Sequence, residues 1–107
     1  MPFTELRQYV IRPGKMAEWV KLFDEVILPF QAARGMAVLG SFRGETDESV
    51  FIWLRRFESE ADREKLYAAV YEDPEWKSDI SPIVGSLIDR EQIKVQRITA
   101  TPASALK

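Results

Sequence analysis

Val50-Phe51-Ile52-Trp53-Leu54 is apolar at five consecutive positions, and four of the five residues are β-branched or aromatic. Such a run favours a strand, in which successive side chains point to opposite faces of the sheet. A sheet with one face in water alternates apolar and polar residues; this strand does not, so both of its faces need cover. Leaving either Phe51 and Trp53 or Ile52 and Leu54 in water would forfeit about 1.5–3 kcal/mol per large side chain. Helices packed on one face leave the other open, and a second copy of the chain related by a two-fold axis is the simplest cover for it. The expectation is a homodimer joined through the open sheet face. Burial of the strand by the chain's own helices and loops is the competing explanation.

On either side of this strand the hydrophobic period identifies the remaining elements. Residues 3–11 alternate, with Leu6 and Val10 on one face and Tyr9 and Ile11 on the other, and predict a first strand that Arg12-Pro13-Gly14-Lys15 ends. From Met16 the apolar positions Met16, Trp19, Val20, Phe23, Val26, Ile27 and Phe30 recur every three or four residues, the stripe of an amphipathic helix. Pro29 is expected to kink or divide that helix, and Gly35 suits a left-handed cap that stops it near Arg34. Residues 36–43 and 50–57 read as antiparallel strands joined by the polar stretch 44–49. Ser59-Glu60-Ala61-Asp62 has the spacing of a capping box, from which a second helix runs through Leu66, Val70 and Tyr71 to a break at Asp73-Pro74-Glu75-Trp76. Ser81-Pro82 opens a short helix through Leu87, and residues 91–98 alternate as a last strand. The order β-α-β-β-α-β is that of a ferredoxin-like α+β sandwich, a four-stranded antiparallel sheet with its helices on one face. Residues 1–98 make up this domain. Residues 99–107, mostly small and polar, are expected to fray or to order only against a neighbour.

The 107 residues, 46% hydrophobic and 11% aromatic, suffice for one modest core. Against 17 acidic side chains stand 15 basic ones, without the basic surplus that binds nucleic acid or an anionic membrane, so neither partner is expected. Cysteine and histidine are both absent. Their absence removes disulfides, thiolate nucleophiles, imidazole bases, Cys/His zinc sites and His-ligated haem, and no metal or cofactor is expected. No segment approaches the roughly 18 apolar residues of a membrane span, and Met1-Pro2-Phe3-Thr4-Glu5 lacks the pattern of a secretory signal, so a cytoplasmic protein is expected. The acidic runs 45–48 and 72–75 lack the oxygen spacing of a calcium loop and read as solvated turns.

A series of short motifs, taken in order, resembles the NIPSNAP family: Leu6-Arg7-Gln8-Tyr9, Arg12-Pro13-Gly14-Lys15, Leu28-Pro29, Val38-Leu39-Gly40-Ser41-Phe42, Trp53-Leu54-Arg55-Arg56-Phe57, Ala61-Asp62-Arg63 and Asp73-Pro74-Glu75-Trp76. The resemblance spans most of the chain and implies a dimeric α+β barrel. Families of similar architecture include cofactor-independent monooxygenases, haem peroxidases, chlorite dismutases and lactone isomerases, so fold likeness leaves the chemistry open. The haem-dependent activities need an axial histidine. The monooxygenases often place His, Asn and Trp in their pocket, and this chain has neither His nor Asn, though it retains Trp53. The function expected is a NIPSNAP-like homodimer of unassigned biochemical role that binds a small hydrophobic or aromatic molecule. The alternative is a cofactor-independent monooxygenase or isomerase acting on an aromatic or lactone substrate. A third reading is a structural domain with its interior filled by side chains.

Tyr9, Trp53, Arg63, Tyr67 and Trp76 combine large apolar bodies with polar tips and are the candidate ligand contacts. Core packing accounts for Trp53 and Trp76 equally well. Arg12, at the end of the first strand and just before a helix, is a sixth candidate, for a carboxylate or phosphate. A Pro-Gly turn explains the same residues without an anion. Asp62 reads as a helix cap and Arg63 as the partner of a nearby acid. Arg55-Arg56 sets one guanidinium on each face of its strand, for an ion pair across the dimer or for an anion. No residue is assigned a catalytic role.

Overall fold

A computed structural model describes residues 1–107. Its strands β1 (Phe3–Ile11), β2 (Ala37–Arg43), β3 (Val50–Phe57) and β4 (Ile88–Ile98) form one antiparallel sheet in the order β2-β3-β1-β4. Between β1 and β2 lie α1 (Met16–Leu22), a first π-helical turn (Phe23–Ile27) and α2 (Leu28–Ala33). Between β3 and β4 lie α3 (Glu60–Tyr71), a second π-helical turn (Trp76–Ile80) and α4 (Ser81–Leu87). This is the ferredoxin-like α+β arrangement that the element order predicts. No helix is long and apolar enough to cross a membrane.

Strand parity decides what is buried. Tyr9 and Ile11 of β1 and Phe51, Trp53 and Phe57 of β3 pack beneath the helices against Trp19, Phe23, Ile27, Val70 and Leu87. The even positions Leu6, Val10, Ile52 and Leu54 face the other way and are half-buried, and Phe42 beside Ile52 on β2 is 56% exposed. Part of that second face is covered by the chain itself. The carbonyl of Lys107 accepts from Arg56, and Thr101, Ser104 and Leu106 share a groove with Thr4, Leu39, Leu54 and Ile98. Residues 99–107 thus lie across one end of the sheet instead of trailing away.

The long helix after β1 is divided just ahead of Pro29, and the chain does the same before Pro82. Proline has no N–H to offer the carbonyl four residues back, and its ring crowds that carbonyl, so the preceding turn opens. In the wider turns the Leu28 N–H reaches the Phe23 carbonyl and the Ser81 N–H reaches that of Trp76, spanning five residues in place of four. This alters the stripe read from the sequence: Val26 is turned outward, 39% exposed, and Gln31 is turned inward, 1% exposed. Gly35, with φ of +98°, ends α2 and donates to the Ala32 carbonyl, as a left-handed cap requires. Ser59 caps α3 by accepting from the Asp62 N–H at 3.1 Å, while the Asp62 carboxylate accepts from the Glu58 N–H at 3.0 Å. β4 begins three residues before residue 91: Ile88 and Asp89 pair with Ile11 and Val10, and the register then shifts between Val10 and Gln8. That irregularity hides the start of the strand from an alternation pattern.

Candidate functional site

The helices do not fill the space above the sheet. A cavity of about 210 Å³ remains between β1, β3, β4 and the helical layer. Arg7 and Tyr9 of β1 and Trp53 of β3 form its floor. Trp19, Phe23, Ile27 and Gln31 form one wall, Tyr71 and Trp76 a second, and Val84, Ile88 and Ile93 a third, which Ser81 and Arg90 complete. The wall of four residues at intervals of four depends on the first π turn. In an unbroken α-helix each step of four drifts by about 40°, which would carry Gln31 about 120° away from Trp19. The wide turn between Phe23 and Ile27 winds part of that drift back, and all four residues face the cavity. The aromatic rings meet edge to face, Phe23 and Trp53 at 5.2 Å between centroids and Tyr71 and Trp76 at 5.1 Å, a geometry that holds the walls firmly.

The polar side chains of the lining are mainly donors. The indole N–H groups of Trp19 and Trp53 are buried and have no hydrogen-bond partner in the protein, at a cost of about 1–3 kcal/mol each while unsatisfied. The Tyr71 hydroxyl accepts from Arg55 at 2.7 Å and from Gln31 at 3.4 Å, which fills its lone pairs and leaves its own proton to donate. Tyr9 accepts from Arg7 Nε at 3.1 Å.

Behind this wall lies a buried ionic cluster. The Glu5 carboxylate accepts from Arg55 Nε at 3.0 Å, from Arg63 Nε at 2.8 Å and from the Tyr67 hydroxyl at 2.7 Å. Arg55, fully buried, sends its other nitrogens to Gln31 at 3.0 Å, Tyr71 at 2.7 Å and Tyr67 at 2.6 Å. Burial by itself would push the Glu5 carboxyl up, but the Arg63 hydrogen bond, the Arg55 charge and the Tyr67 hydroxyl together hold it below the ordinary glutamate value. Burial raises the Tyr67 phenol, against the opposing pull of Arg55. Arg7 stands at the inner edge of this cluster, 3.7 Å from Glu5, too far for a hydrogen bond. The phenolic oxygens of Tyr9, Tyr71 and Tyr67 offset the effect of burial on its guanidinium, which stays charged.

Of the six candidate residues, Tyr9, Trp53 and Trp76 line the cavity. Tyr67 lies one layer behind it, joined to Arg7, Arg55 and Glu5, and Arg63 closes the outer side of Glu5. Arg12 is not brought to the site: it is exposed, and its guanidinium and backbone N–H tie the β1 turn to the carbonyls of Gly85 and Leu87. The sequence reading missed Arg7, Trp19, Gln31, Tyr71, Ser81 and Arg90 in the wall and Glu5 behind it, and it assigned Arg55 to an ion pair across the dimer or to an anion. Arg55 pairs inside one protomer, not across an interface, while Arg56 lies on the opposite face beside Glu58.

The NIPSNAP family model matches residues 4–103. Among solved structures, a NIPSNAP family protein from Agrobacterium tumefaciens is 28% identical, covers 100% of both chains and superposes with a TM-score of 0.87. A second NIPSNAP family protein from the same organism, described as of unknown function, is 22% identical over 99% of this chain and 94% of that one, with a TM-score of 0.87. SnoaB, a cofactor-independent oxygenase from Streptomyces nogalater, shares the fold at 13% identity, with 96% and 98% coverage and a TM-score of 0.71. No curated protein matches the chain.

Proposed function

The chain belongs to the NIPSNAP family, and from that premise we propose that it is a homodimeric protein that binds one small aromatic or hydrophobic molecule in the cavity above its sheet. The observation that carries this reading is the aromatic cavity itself, about 210 Å³ left unfilled among Tyr9, Trp19, Phe23, Trp53, Tyr71 and Trp76. A core is normally packed; here large rings enclose space that a ligand would fill, and two of those rings carry indole N–H groups that the protein leaves unpaired.

Oxygenase or isomerase chemistry has the fold shared with SnoaB in its favour. Binding is the preferred reading because the cavity wall carries no carboxylate, lysine or imidazole to take a proton from a substrate. The dimer is proposed through the end of the open sheet face left bare by residues 99–107, where Phe42 stands exposed beside the half-buried Ile52 and Val10.

Native mass spectrometry of freshly purified protein, followed by denaturing extraction, tests both parts. The expected result is a dimer that carries extra mass. A monomer at micromolar concentration overturns the assembly. Protein without added mass, whose melting temperature is also unmoved by a panel of small aromatic compounds, overturns the binding reading.

A further inference from the structure

Resting on the reading of the cavity as a binding site, we infer that its ligand is an aromatic monocarboxylate whose anionic head lies against Arg7. Four guanidiniums, those of Arg7, Arg55, Arg63 and Arg97, face only two carboxylates, Glu5 and Glu60. The shortage falls on Arg7. Both Glu5 oxygens are already engaged by Arg55, Arg63 and Tyr67, and Glu60 is divided between Arg63 at 3.5 Å and Arg97 at 2.6 Å. Arg7 therefore spends Nε on Tyr9 and one bond of Nη1 on Tyr67 at 3.3 Å, and its Nη2 makes no hydrogen bond to the protein.

The guanidinium is nevertheless built in. Its carbon lies 5.6 Å from the centre of the Tyr9 ring and 5.9 Å from that of Trp53, so its plane is held where it borders the cavity. The Tyr71 hydroxyl adds a donor to the wall, while Arg90, the second guanidinium of the lining, is exposed and gives its Nη2 to the carbonyl and hydroxyl of Ser81. A lining with two guanidiniums and no carboxylate selects an acceptor-only anionic head, and the one guanidinium fork left free at the aromatic floor takes a single carboxylate plane to plane. The remaining lining, Phe23, Ile27, Trp76, Val84 and Ile93, suits a ring.

The test compares 3-phenylpropanoate with 3-phenylpropanamide, which share a shape and differ in charge, by isothermal titration calorimetry on the full chain. The carboxylate is expected to bind at least about tenfold more tightly. Arg7→Met is expected to abolish that preference while leaving the affinity for the amide within about threefold. Equal affinity of the wild-type protein for the two probes overturns the carboxylate inference and leaves the binding site standing. Binding of neither probe overturns the inference, and the cavity reading itself falls only if the aromatic panel also leaves the melting temperature unmoved. Should Arg7→Met fail to fold, Arg7→Lys keeps the charge without the planar fork and is expected to retain a reduced preference for the carboxylate. An Arg7→Lys variant that favours the amide counts against the inference.

Discussion

Replacing Glu5 by Gln removes the one carboxylate that the buried arginine has. Glu5 and Arg55 both have no measurable exposure, so no water takes over when the charge is lost. The hydrogen bonds that Glu5 accepts from Arg55 Nε, Arg63 Nε and the Tyr67 hydroxyl lose their anionic acceptor. The amide nitrogen of the new side chain must also face donors. Removing one partner of a buried ion pair costs about 3–5 kcal/mol, chiefly because the other charge is stranded. A domain of this size has about 5–15 kcal/mol of stability in total, and each kcal/mol moves the midpoint by about 4–8 °C, so Glu5→Gln is expected to lower Tm by at least about 12 °C. Urea denaturation followed by circular dichroism at neutral pH gives the free energy directly. The acid limb supplies an independent check. The folded pKa of Glu5 lies below the unfolded value near 4.5, so its contribution is complete above that value and is lost as pH falls through the lower, folded pKa. The gap between wild type and variant should therefore narrow in acid. A loss under about 1 kcal/mol at neutral pH, or a gap that persists unchanged into acid, would refute the assignment of Glu5 as the counter-charge of Arg55.

The remaining expectations concern packing and caps. Phe57→Ala, at a fully buried ring packed on Phe3 and Tyr67, should cost about 3–5 kcal/mol in urea denaturation. Gly35→Ala places a side chain at φ of +98° with its Cβ 3.1 Å from Leu66, whereas Gly14→Ala at +75° meets nothing within 4 Å. The first should therefore lose more than the roughly 1–2 kcal/mol of a left-handed alanine and the second no more than that, as read from their melting midpoints. Ser59→Ala should cost about 1 kcal/mol through loss of the α3 cap, a loss that Ser59→Asp is expected to restore.

Most of the fold is legible because local rules and tertiary structure agree. The strand periods, the Gly35 cap, the Ser59 cap and the loop before β3 each depend on residues close together in sequence. The polar interior is less legible for a specific reason. Glu5 and Arg7 share the parity of Tyr9 and Ile11, and Arg55 shares that of Phe51, Trp53 and Phe57, so alternation alone assigns all three to the core side. What alternation lacks is the pairing: that Glu5 lies opposite Arg55 is a matter of strand register, set by the whole sheet. Gln31 was hidden differently, since a stripe drawn at α-helical pitch excludes it and only the opened turn ahead of Pro29 brings it in. The covering of the sheet by residues 99–107 leaves no mark in a stretch of small residues.

The two π turns carry a consequence for how such cavities diversify. Each is in effect one residue more than an α-helix needs, placed beside the cavity, and each is kept open by a proline. If the turn between Phe23 and Ile27 closed to ordinary pitch with no residue lost, everything after it would rotate by about 100°. Gln31 would leave the wall, Arg55 would lose one of its acceptors, and a different side chain would look into the space, with no substitution at any lining position. Exchange of Pro29 or Pro82 for a residue that lets its turn close is therefore a more drastic change of ligand than several exchanges of one apolar side chain for another.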